Sequence, residues 1–338
     1  MTLIRPPSEM TDAGGRRRRP GTGRAVAVLV LALLALAIPL FGPSAALHGT
    51  GEAAAPGAGG VALLRAVLFA ALCVPLGELF VGRLARSVPG APLDDLAVPR
   101  SWAPYATAAG FVAALGLASV VATGNLVPHS LSGIDVGGLY ASRDGQVALL
   151  EVNAFLVAAL CARSGRPALQ VWPLSAVVAA EALRAHPAAE HSALVGSGLT
   201  VVHLTCAALW VGGLLHVLRT LRRWGPAEPG AALLGLYARV AAVLLAAVSA
   251  TGVWSSLRRM PPDTILEQLT DTAYGRTLLA KVLLVAVVAA LALWARTRLR
   301  RAPDPLTACA PARVEVVALG LVVVVSGLLT ALPLPIRW

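Results

Sequence analysis

The sequence predicts an all-α fold, a polytopic transmembrane helical bundle, on three observations. The 338 residues are 57% hydrophobic and only 13% charged, with a mean hydropathy of +0.75, well beyond what a soluble domain of this size needs to fill its core. Nine stretches are long and apolar enough, or nearly so, for the roughly 20 residues that cross about 30 Å of hydrocarbon. The basic residues, 27 of 28 of them Arg, lie mostly in short runs between those stretches.

Taken in order, the apolar segments are estimated at 25–47, 61–83, 104–124, 146–162, 168–184, 194–218, 232–256, 275–296 and 314–334. Residues 1–24, with Arg16 to Arg19, Pro6, Pro7, Gly14 and Gly15, read as a disordered basic cytoplasmic tail. The segment 25–47 reads as an N-terminal transmembrane helix or signal anchor. Its basic flank and Ser44-Ala45-Ala46 also resemble a cleaved signal peptide, although its length favours retention. The fourth and fifth segments are the shortest. The longest connectors, around 125–145 and 257–274, leave no room for a soluble domain.

Short cytoplasmic loops carry the excess of Arg and Lys. With nine spans and the N-terminus inside, 20 of the 28 basic residues fall on inner segments and eight on outer ones. Dropping one span would reverse the bias for everything downstream. The expected arrangement is therefore N-in and C-out, in the inner (plasma) membrane. A net charge of +11 could suggest a nucleic-acid binder, but such proteins gather their charge on one folded surface. The partner implied here is membrane lipid and not nucleic acid.

Cys73, Cys161, Cys206 and Cys309 show no C-x-x-C spacing, which gives neither a disulfide framework nor a local thiolate zinc site. Phosphate-binding loops, H-E-x-x-H and an ordered Ser-His-Asp set are absent, so the chain is expected not to be an enzyme.

Ionisable groups at membrane depth are functional candidates by default. Glu151 and Asn153 fall in the outer half of the fourth segment, Glu181 in the fifth, His203 near the middle of the sixth, Arg276 at the start of the eighth and Lys281 a little inside it. Two readings stand for the carboxylates: an ion pair of Glu151 or Glu181 with Lys281 that fixes packing, or a hydrated polar path opening outward. His48, His129, His186 and His191 fall on the outer side. Neutral imidazole suits Cu and Zn, and His186 and His191 are close enough to share an outer metal site. The plainer reading is loop histidines without a ligand role. His203 and Cys206 are three residues apart, with Trp210 further along the helix. They are either a ligand pair or a hydrogen-bonded histidine beside a packing cysteine. Ala208, Gly212 and Gly213 form a small-residue stretch that admits a close helix neighbour.

The stretch His203-Leu-Thr-Cys-Ala-Ala-Leu-Trp210-Val-Gly212-Gly213 resembles the copper resistance protein D family. Ala185-His186, Ser249-Ala-Thr251-Gly252, Thr272-Ala-Tyr274-Gly275-Arg276 with Lys281, Arg313-Val-Glu315 and Leu332-Pro333 extend the likeness in order. The resemblance implies an eight-helix core over about 61–334, with the first helix an added anchor. It marks His186, His203, Trp210, Gly212, Gly213, Tyr274, Gly275, Arg276, Lys281 and Glu315 as family-motif positions.

It also implies copper handling at the cytoplasmic membrane, as ion uptake or transport across it, with copper as the ion held and an extracytoplasmic copper carrier as a partner. The candidate metal residues are His203, His186, His191 and Cys206; Trp210, Glu151, Glu181, Tyr274, Arg276 and Lys281 are the other functional candidates. Methionine is scarce, with only Met1, Met10 and Met260, whereas Cu(I) sites favour soft sulfur ligands. Two alternatives remain: a haem-binding electron-transfer protein using His203 and His216, and a non-transporting assembly factor for a cuproenzyme. Against the first, His203 and His216 lie about 140° apart around their helix.

Overall fold

The computed structural model describes residues 22–334 except 54, 93, 95–96, 124–135, 187–191, 226–227, 261–262 and 302–308. The described residues are all-helical. The helices are α1 (Thr22–Leu47), α2 (Ala58–Arg86), α3 (Ala103–Thr123), α4 (Val136–Ala141), α5 (Arg143–Arg163), α6 (Val171–Ala185), α7 (Ala193–Trp224), α8 (Glu228–Arg259), α9 (Ile265–Asp271), α10 (Ala273–Arg301) and α11 (Cys309–Leu329). The basic tail expected over 1–24 lies outside the described residues as far as 21.

All nine apolar segments are helices, because a backbone without water must satisfy its own polar groups. Seven are long and apolar enough to cross a membrane. The other two are α6, with 15 residues after a 3-10 turn at Pro167–Gln170, and α11, whose apolar part is Val314–Leu329. The short helices α4 and α9 occupy the two long connectors.

The upper end of the bundle, as the term is used below, is where α1, α6, α8 and α11 finish and α2, α5, α7 and α10 begin. Leu47, Ala62, Ala273, Leu328 and Leu332 pack together there, and Arg143 of α5 donates to the Leu183 and His186 carbonyls at the end of α6. The opposite end is the lower one.

Helix α2 is the hub, packed on α1, α3, α7 and α11. Its approach to α7 depends on glycine. A methyl at Gly77 would fall on the backbone of Gly212, and one at Gly212 would fall on the Cys73 carbonyl. The stretch Ala208 to Gly213 therefore does admit a close helix, and that helix is α2. Gly213 faces Tyr237 and Phe80 instead, with room for no added side chain. Helix α11 meets α2 by the same device, Gly327 lying against Ala62 and Ala66. These contacts rest on shape and dispersion, which take over where lipid removes the hydrophobic drive between helices.

Candidate functional site

A chamber of about 250 Å³ opens in the upper half of the bundle. It is lined by α2, α6, α7, α8, α10 and α11. The face of α7 that lines it runs through Thr200, Leu204, Ala207 and Val211, with His203 and Trp210 on its edge, the i, i+4, i+7, i+11 stripe of one helix side. Helix α8 packs on α7 and α10 packs on α11, but α8 and α10 are not closely packed on each other. The gap between them is the side of the chamber.

His203 lies roughly 15 Å along α7 from its start and lines the chamber. Its Nδ1 is 3.0 Å from Thr251 Oγ1 of α8. That hydroxyl lies 2.7 Å from the Ala247 carbonyl, to which it donates. A hydroxyl has one proton, so with it committed to Ala247 the Thr251 oxygen accepts from His203 Nδ1–H. In that tautomer Nε2 is the unprotonated ring nitrogen, and the Thr251 contact orients the ring as partners orient ligand histidines. Gly252, one residue on, faces the ring and leaves it space.

Lys281 and Tyr274 of α10 and Arg259 of α8 also line the chamber. Arg259 Nη1 donates to the Tyr274 hydroxyl at 3.1 Å, and the Lys281 ammonium feels both Arg259 and His203. The sequence analysis did not single out Arg259, which looked like one more charge in an outer loop.

The carboxylates do not pair with Lys281, and this corrects the bland reading of the sequence. Glu181 is bound by Arg65 of α2, and Glu151, fully buried in α5, is held by Arg184 Nη2 at 2.6 Å. Arg65 lies in the first third of α2 and Arg184 at the end of α6, each within reach of its acid, whereas Lys281 belongs to α10. The quartet balances its own charge. Glu181 lines the chamber; Glu151 does not. Asn153 donates to the Leu149 carbonyl of its own helix.

His186 caps α6 and is buried. Its Nε2 is 3.0 Å from Thr200 Oγ1, so it stands behind the chamber wall rather than in an open loop. His191 and His129 lie outside the described residues, and the shared site of His186 with His191 falls there with them. His48 is exposed. Cys206 turns away from the chamber: three residues rotate it about 60° from His203 on the side opposite the lining stripe, and it packs on the core around Leu214 and Tyr237. The thiol in the lining is Cys73 of α2. Trp210 is buried, and its carbonyl accepts from Tyr237 Oη at 2.6 Å. Arg276 is a strut, with Nε donating to Thr270 O and Nη1 to His48 O. Glu315 is buried in α11 outside the lining.

A second polar cluster, which sequence reasoning missed, occupies the lower end. Glu78 of α2 accepts from Ser101 Oγ at 2.6 Å, from Trp102 N at 2.7 Å and from Arg219 Nη1 at 2.9 Å. It thereby caps the start of α3. The Arg219 guanidinium stacks 3.7 Å over the Trp102 ring and donates to the Arg100 carbonyl. His216 Nδ1 is 4.0 Å from Glu78 Oε1. His216 is outside the chamber lining, so α7 does not present two histidines to one cofactor.

As for copper, no group of three or more His, Cys, Asp or Glu side chains among the described residues could hold a metal ion. The chamber offers one imidazole and one thiol among its walls.

The chain matches none of the curated proteins or solved structures with which it was compared. The family model described as Copper resistance protein D matches residues 231–330. The match takes in α8 to α11, hence Arg259, Tyr274, Arg276, Lys281 and Glu315, and ends short of His186, His203 and Trp210. It covers less than the eight-helix core that the resemblance implied. Residues 231–330 of this multi-pass, all-helical membrane chain thus match the copper resistance protein D family, consistent with membership of it.

Proposed function

We propose that the protein handles copper at the cytoplasmic membrane by admitting the ion to the chamber and passing it across the bilayer, with His203 as the ligand met on the way. One observation carries this reading: an imidazole held through Nδ1 by Thr251 lines a chamber to which α8, α10 and α11 of the region matched by the copper resistance family contribute. Copper here is cargo. With nine spans, the N-terminus inside and the Arg bias of the loops, the upper end faces outward. The chamber then opens toward the compartment from which an extracytoplasmic copper carrier would deliver the ion. Glu151 and Glu181, beside the chamber, are the groups that would exchange protons if transport is proton-coupled.

The test is copper content in cells expressing wild type, His203→Ala or His203→Gln at equal membrane levels. Wild type should raise cellular copper, and both variants should bring it down to that of cells lacking the protein. Unchanged accumulation by the variants would remove His203 from the path. Copper analysis of the purified protein beside His186→Ala should show that His186, behind the wall, has the smaller effect.

A further inference from the structure

We propose that the chamber is a binding site for an amphiphile with an anionic oxygen headgroup, the head held by Arg259, Lys281 and Tyr274 and the tail by the apolar wall. This goes beyond copper handling and does not depend on it.

Charge is the first argument. The ion pairs among the described residues engage Arg65, Arg184, Arg219 and His216 with Glu181, Glu151 and Glu78. None of them engages Lys281 or Arg259. The one carboxylate in the chamber wall, Glu181, is already neutralised by Arg65. Two cations therefore face a chamber that contains no free negative charge of its own. An unpaired ion at membrane depth costs several kcal/mol unless it is hydrated or met by a counter-charge. An anion there would relieve that cost.

Donor geometry is the second. The Tyr274 hydroxyl accepts from Arg259, which leaves its own proton to donate. Arg259 spends one N–H on that contact and has others left. Lys281 lies two turns from Tyr274 on the same face of α10, and its stem can carry the ammonium toward the upper end. A guanidinium, an ammonium and a phenol thus converge on one region, and charge-assisted bonds of this kind are the strong ones for carboxylate or phosphate oxygens. The neighbouring hydroxyls do not compete, since Ser256 and Ser326 donate to carbonyls of their own helices.

Shape and access are the third. The remaining wall is apolar, with Phe69, Leu72, Leu204, Leu278 and Val322. At about 250 Å³ the chamber exceeds the roughly 150 Å³ apolar cavity that accepts benzene. Helices α8 and α10, which both line the chamber, are not closely packed on each other, and the proposal takes the space between them as the way in for a molecule dissolved in the bilayer. An inorganic anion would use the head site and leave the apolar wall without a partner. A membrane lipid and a single-chain acid share the required chemistry.

The test uses metal-free, full-length protein in neutral detergent, with brominated decanoate as the probe. Trp210 lines the chamber, so bromine there quenches it, and Trp210→Phe isolates its share of the signal. Decanoate should quench saturably, with brominated decanol at least tenfold weaker and acetate failing to compete. Lys281→Gln and Arg259→Gln should each weaken decanoate at least tenfold, and Lys281→Arg should restore binding. Either Gln variant suffices if the other does not fold. Displacement by phosphatidylglycerol but not phosphatidylcholine in nanodiscs assigns the site to a membrane lipid; no displacement by either assigns it to a single-chain acid. Decanol binding as tightly as decanoate, or full decanoate affinity in the folded Gln variants, would overturn the proposal. Because no copper is present, this result is independent of the accumulation assay.

Discussion

The two ends of the bundle carry part-buried polar groups of similar kind and opposite organisation. At the lower end Arg219 has a carboxylate, a carbonyl and an aromatic face, and Glu78 has a donor for each oxygen. At the upper end Lys281 and Arg259 face a chamber without a carboxylate of their own. The same residue types form a clasp in one place and line a chamber in the other. Burial of a charge therefore does not by itself mark function. What marks it is whether the fold supplies the counter-charge.

The sharpest way to break this comparison is at the clasp. Glu78→Ala should cost about 3–5 kcal/mol, because it leaves a buried guanidinium without its partner and uncaps α3. The readout is the thermal unfolding midpoint of the purified protein in detergent. A loss under ~1 kcal/mol would show that the clasp is not structural.

Next comes the helix contact between the two ends. Gly212→Val should cost about 1–3 kcal/mol through overpacking against the Cys73 backbone. Gly252→Ala, which faces only the His203 ring at van der Waals distance, should stay within about 0.5 kcal/mol. Similar losses in both would mean that α2 and α7 are not held by this contact.

Lys281→Met should go the other way, leaving the unfolding midpoint where it is or raising it. It removes a cation that none of the ion pairs among the described residues neutralises, at similar length and with an apolar tip. A large drop would reveal a partner for Lys281 and weaken the contrast between the ends. A modest loss is expected of His203→Ala, about 1 kcal/mol for the bond to Thr251, read on the same unfolding curves. A loss several times larger would make His203 a structural residue.

The helices were legible in the sequence because hydrocarbon demands long apolar runs, and the nine estimated segments match nine helices with ends shifted by a few residues. Lys281, His203 and Glu181 were legible too, as ionisable residues within apolar segments, and Trp210 and Tyr274 through the family resemblance; the fold brings all five to one chamber. Their partners were not. Glu181 and Glu151 find Arg65 and Arg184, which count as topology charges when read along the chain. Which charges meet depends on how each helix is rotated about its axis, and hydropathy contains no term for that rotation. Cys206 shows the same limit at close range: spacing places it near His203, yet a turn of about 60° sends it into the core, while Cys73 arrives from another helix. Glu78 was hidden by its apolar surroundings in α2, although its distance from Arg83 and Arg86 marks it as an unmatched acid within a span.

The central claim is that the upper chamber, and not the lower clasp, lies on the path of copper. Copper flux into sealed proteoliposomes containing wild type, His203→Ala or His216→Ala tests it directly. The account predicts flux for wild type and His216→Ala and none above protein-free vesicles for His203→Ala. Equal flux through His203→Ala and wild type would contradict it, as would no flux through any of the three, which would leave an assembly factor that moves no ion.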